Sequence, residues 1–181
     1  MASLRSTSDP NSEKRSIANK ASSCLQAFAD LQKLQTQAEA GGSPCKDSRQ
    51  DKNDGISLNA VKNELDRFRD WCSHNGATKE GPGSLDDGLQ LAANTHQGVS
   101  DLLDNLEELL YEAKDILDRE LSHLGELDDD DCARTHFKGL ENESELSQIR
   151  YCIVSNVDNF QMLNKSIEWG IAKTRLTMPG P

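Results

Sequence analysis

Apolar residues recur at spacings of three and four along most of this chain, and nowhere do they alternate with polar ones over a whole segment. The first spacing lines up side chains on one stripe of an α-helix, whereas a half-buried strand requires the second. The clearest run is Leu58, Val61, Leu65, Phe68 and Cys72, the seam of a helix packed in a bundle, with Trp71 beside it to widen the stripe. A chain patterned in this way closes helix against helix, so an all-α fold is expected.

Glycine and proline divide the pattern. Residues 1–11 read as a disordered leader, and a helical domain is expected over residues 12–176, with a tail at 177–181. The first helix spans residues 12–40, on a stripe of Ile17, Ala21, Cys24, Leu25, Phe28, Leu31 and Leu34. Gly41-Gly42-Ser43-Pro44 ends it, and residues 46–55 are expected to form a mobile loop. Ser57 would cap the second helix, which Gly76 and Gly81-Pro82-Gly83 terminate. Ser84 caps a short third helix around Leu85, Leu89 and Leu91, with Asp87 three residues on in a capping-box-like position. Thr95 or Ser100 would open a fourth helix on Val99, Leu102, Leu103, Leu106, Leu110, Ala113, Leu117, Leu121 and Leu124. A second mobile loop is expected at 125–140, then a fifth helix at 143–174 on Leu146, Ile149, Ile153, Val157, Phe160, Leu163, Ile167 and Ile171. The architecture that follows is an antiparallel bundle of four to five helices.

The charge is unevenly placed. Between Asp101 and Asp131 stand thirteen acidic residues against Lys114 and Arg119, a net of −11, so the remainder of the chain, with eighteen of each sign, is neutral. Such a chain repels phosphate backbones, which disfavours direct nucleic-acid binding. The five cysteines are scattered, without a CxxC pair, and fit reduced thiols. Cys24, Cys72 and Cys152 fall on apolar stripes as small core residues. The first twenty residues are polar and no long apolar run occurs, so a protein of the cell interior, cytoplasmic or nuclear, is expected.

No constellation with catalytic or ligating chemistry survives inspection. An EF-hand loop needs glycine sixth and a bidentate glutamate twelfth. Counted from Asp51, Gly55 is fifth and Lys62 twelfth, so the register fails. Cys132 and His136, with His123 upstream, form one loose pair where zinc sites show two clusters. Cys72 and His74 are two apart on a helix and point to different faces. Glu107, Glu108 and Glu112 lack the Glu-x-x-His partners of a di-metal bundle and read as a solvated face. No enzyme activity, cofactor, metal or small-molecule substrate is expected.

The run from Glu64 to Ala77, with Arg67, Phe68 and Trp71 on the helix and Asn75 and Gly76 in the turn, leads on to Ser84, Leu85 and Asp86 and to the acidic Leu102–Leu117 helix. In that order these motifs resemble a helical N-terminal domain of filamentous fungi that precedes zinc-finger, ankyrin or NACHT-type NTPase modules, similar in style to HeLo and HeLo-like bundles. The chain departs from that pattern at Cys72-Ser73, where a small Ala-Gly step is usual, and in its polar N-terminal segment. The resemblance implies a stand-alone helical interaction or regulatory module that binds a protein partner or itself. A membrane-targeting cell-death effector of the HeLo type is the alternative, disfavoured because anionic membranes recruit basic segments. The acidic loop of Asp128, Asp129, Asp130 and Asp131 is the expected partner-binding element.

Overall fold

A computed structural model describes residues 15–40, 51–124 and 132–177, and within them five helices and no strand. They are α1 (Ile17–Ala40), α2 (Asp51–Asn75), α3 (Leu85–Gly88), α4 (Ala93–Leu124) and α5 (Cys132–Thr177). The expected leader, the loop at 46–50 and the acidic loop at 125–131 lie outside the described residues.

Several helix boundaries differ from expectation. Ser16 caps α1, its Oγ accepting from the Asn19 N–H (3.2 Å), so that helix starts later than residue 12. The α2 helix begins at Asp51, which places Asp51–Gly55 in helix rather than loop and Ser57 inside it rather than at its cap. Likewise α4 begins at Ala93, ahead of both Thr95 and Ser100, and α5 at Cys132, so residues 132–140 are helical and not a mobile loop. Polar residues are compatible with a helix interior, and the breakers that stop helices are glycine and proline. Composition alone therefore placed the starts of α2, α4 and α5 too late.

Four long helices close a ring: α1 packs on α2 and α4, and α5 completes it by packing on α2 and α4. Short α3 lies against α1 and α5. Contacts fix two of the directions. Arg119 of α4 meets Glu145 of α5, while Ala92, just before α4, meets Gly170, so α4 and α5 run antiparallel. Arg67, Trp71 and Asn75 of α2 meet Asp158, Phe160 and Asn164 of α5 in rising order, so α2 and α5 run parallel. The parallel interface arises because the link through α3 carries the chain across the end of the bundle, leaving α4 diagonal to α2.

Expected stripes form the core. Ile17, Ala21, Cys24, Phe28 and Leu31 of α1 are buried, with Leu65, Phe68 and Cys72 of α2, Val99, Leu103, Leu106, Leu110 and Ala113 of α4, and Ile149, Ile153, Val157, Phe160 and Ile167 of α5. Leu25, Leu102, Leu117, Leu146, Leu163 and Ile171 pack at its edge. Some assignments change. Ala18, Ala27 and Ile116, outside the expected stripes, are buried, Cys152, expected in the core, is only partly buried, and Leu91, expected with Leu85 and Leu89, is exposed. The side chains of Leu58, Val61, Leu121 and Leu124 lie outside the described residues.

The crossing link is tightly built. Gly76 takes φ +65°, and the Ala77 N–H donates to the Cys72 carbonyl (2.9 Å), the six-to-one bond of a Schellman stop. Ser84 Oγ accepts from the Asp87 N–H (3.1 Å), and Asp87 in return accepts from the Gly83 N–H (3.1 Å). That reciprocal cap starts α3 and sends Leu85 and Leu89 into the core. At the joint with α5, a Cβ on Gly170 would lie 2.9 Å from both the Ala92 methyl and a Leu89 methyl. Gly170→Val should therefore lower stability by about 1–3 kcal/mol through overpacking. A melting temperature equal to the parent's would refute this close approach.

Candidate functional site

Every motif residue singled out in sequence has a structural task. Phe68 and Trp71 meet Phe160 of α5 at ring-centroid distances of 5.4 and 4.5 Å, and Phe28 of α1 joins at 6.1 Å from Phe68. The cluster thus ties α1, α2 and α5 together. Burying each of these side chains is worth roughly 2–3 kcal/mol. Arg67 bridges Glu64 (2.8 Å) and Asp158 (2.5 Å), and the hydrogen bond to Asp158 holds its guanidinium pKa above the ordinary value. The Asn75 amide donates to the Trp71 carbonyl (3.1 Å) and to Asn164 Oδ1 (3.2 Å), which fastens the end of α2 to α5. Gly76, Ser84 and Leu85 form the link already described, and Asp86 pairs with His96 Nε2 at 2.8 Å, joining α3 to α4. These residues hold the fold, and none of them lines either of the two surface grooves described below.

Two of the thiols are equally structural. Cys24 and Cys72 are buried, and burial raises both pKa values, that of Cys72 to about 12. A thiol held neutral in the fold but free to ionise in the unfolded chain stabilises fully below its ordinary pKa of 9.0. That stabilisation declines as pH rises from there through about 12. Cys72→Ala should accordingly flatten the alkaline loss of stability. In the native protein Cys152, which is partly exposed, should react with a disulfide reagent before Cys24 or Cys72. Equal rates for all three at neutral pH would contradict this order.

One polar cluster was not legible in the sequence. Glu107, expected on a solvated face, is buried: Arg15 forks onto its carboxylate (3.3 and 3.1 Å) and Ser23 Oγ donates to it. One turn away, Lys20 is also buried, with Nζ on Ser100 Oγ (2.6 Å) and Asp104 (2.5 Å). The available signal was Lys20 itself, a charge between Ile17 and Ala21 on the α1 stripe, which calls for an acidic partner across the interface. Glu108 and Glu112 remain exposed, as expected. With Asp104, Tyr111, Asp115 and Asp118 they line an open acidic trough of about 1520 Å³ along α4. Among the described residues no group of three His, Cys, Asp or Glu side chains is placed to hold a metal ion, and no helix is long and apolar enough to cross a membrane. The side chains of His123, Cys132 and His136 lie outside the described residues, as do Asp128, Asp129, Asp130 and Asp131.

Exposed large apolar side chains gather on α5, where Tyr151, Met162 (77 % exposed), Trp169 (69 %) and Leu176 (87 %) face outward. Met162, Trp169 and Leu176 recur every seventh residue and so stack along one edge of the helix. Beside Trp169, Leu91 and the start of α4 complete a groove of about 750 Å³. The expected helix stripes described the inward face of α5 and missed this outward one, although its seven-residue spacing is visible in the sequence. Compared with protein-family models, curated proteins and solved structures, the chain matches none of them.

Proposed function

We propose that this chain is a non-enzymatic, protein-binding regulatory module, a counterpart of the fungal N-terminal domain that its motifs resemble. The observation that carries it is the outward edge of α5. One of the two tryptophans, Trp71, is in the core, and the other, Trp169, stands in solvent between Met162 and Leu176. An exposed row of large apolar side chains is a common mark of an interaction surface. Tryptophan is also the residue type most enriched among interface hot spots. The buried thiols and the structural use of the motif residues agree with a binding role.

The test is affinity purification of the tagged chain from its own cells, separated into soluble and membrane fractions. It is run beside a Tyr151→Ser/Met162→Ser/Trp169→Ser variant. All three positions are exposed, so the variant should keep its helicity and melting temperature. A specific soluble partner recovered with the parent and lost with the variant is the expected result. Equal recovery by both would refute the α5 surface. Recovery in membranes without a protein partner would favour the HeLo-type effector instead.

A further inference from the structure

We infer that the groove between the start of α4 and the last turns of α5 receives an acidic amphipathic peptide segment of a partner protein. This deepens the interaction reading above and rests on it. The apolar part of the groove is Leu91, Ala92 and Trp169. Lys165 and Lys173 flank the tryptophan one helical turn to either side, and Lys173 Nζ lies 5.7 Å from the centre of its ring. Among the described residues no aspartate or glutamate lines the groove, in a chain whose net charge is −11.

A further positive contribution comes from α4. Ala92 precedes its first turn and has no side-chain oxygen, and among the described residues no side chain caps the N–H groups of that turn. The helix macrodipole adds partial positive charge at the same end. An apolar anchor with cations on both sides and a helix N-terminus beside it is complementary to a segment bearing one large apolar residue between carboxylates. Screening over about 8 Å at physiological salt keeps the distant acidic face of the bundle from cancelling this local field. A peptide suits the site better than an anionic membrane, because two lysines supply little of the attraction that a lipid surface requires.

The chain is used to select from a random-peptide display library, and enriched peptides carrying a fluorescent label are titrated with the protein while their anisotropy is followed. Enriched sequences should carry net negative charge around a large apolar residue. Their affinity should fall by about tenfold or more in Trp169→Ala and in Lys165→Glu/Lys173→Glu, with circular dichroism unchanged. Enrichment of neutral or basic peptides, or of none, overturns the inference. So does binding that needs Trp169 but ignores the lysine reversal, although the wider interaction role then survives. Dimerisation through Trp169, or lysine-dependent binding to phosphatidylserine vesicles without peptide enrichment, would assign the groove to a second copy or to lipid and likewise overturn it. Failure of the co-purification comparison removes the broader role independently.

Discussion

Trp71→Ala should lower the stability of the bundle by about 3–5 kcal/mol, the usual cost of truncating a fully buried aromatic. The ring is 2 % exposed and lies between Phe68, stacked at 6.0 Å with planes 13° apart, and Phe160 at 4.5 Å. Since Phe68 also touches Phe28, the truncation opens a void where α1, α2 and α5 meet. Neighbouring rings on three helices cannot all move in to fill it. Urea denaturation measures the effect, with a lower midpoint and an unchanged slope expected. Trp71→Phe separates area from polarity, because Trp71 Nε1 is buried without a hydrogen-bond partner among the described residues. Phenylalanine removes that orphan donor along with part of the ring, so its cost should be well below that of alanine. A loss under about 1 kcal/mol for Trp71→Ala would mean that this cluster is not the centre of the core.

Asn156→Leu should act in the opposite direction and stabilise the protein by about 1–3 kcal/mol, the desolvation cost of a buried polar group left unpaired. Asn156 is 3 % exposed on α5, and neither its amide nitrogen nor its oxygen has a partner among the described residues. Leucine has the same branched outline of four side-chain heavy atoms, is somewhat larger, and replaces the amide with apolar contacts. Thermal and chemical denaturation should both register the gain. A buried asparagine can also fix the register of packed helices at some expense in stability. In that case the leucine variant melts higher but shows broadened or doubled amide resonances. A variant less stable than the parent would show that the amide is satisfied in the native protein.

Much of the bundle was legible before any coordinates because the hydrophobic period of a helix is local. Of the eight α5 positions expected to face inward, Ile149, Ile153, Val157, Phe160 and Ile167 are buried and Leu146, Leu163 and Ile171 pack at the edge. The Gly76 stop and the Ser84 cap were equally legible, since each depends on backbone chemistry within a few residues. Helix starts without a strong signal were not. The segments beginning at Asp51, Ala93 and Cys132 continue into long amphipathic helices and are helical despite polar sequence.

By itself, then, the amino-acid sequence determined that this is an all-α protein, which faces of its helices turn inward, where two glycine-bearing turns break it, and that its acidity is concentrated in one region. Only the tertiary structure decided which helices are neighbours and in which direction they meet. It turned Glu107 from a presumed surface charge into the buried partner of Arg15 and Ser23. It also set Leu91 beside Trp169 to make a groove with lysines at its rim. The physical reason is one of range. Periodicity and capping are settled by residues a few positions apart, whereas Glu107 and Arg15 are 92 positions apart and a groove exists only once two distant helix ends have packed together.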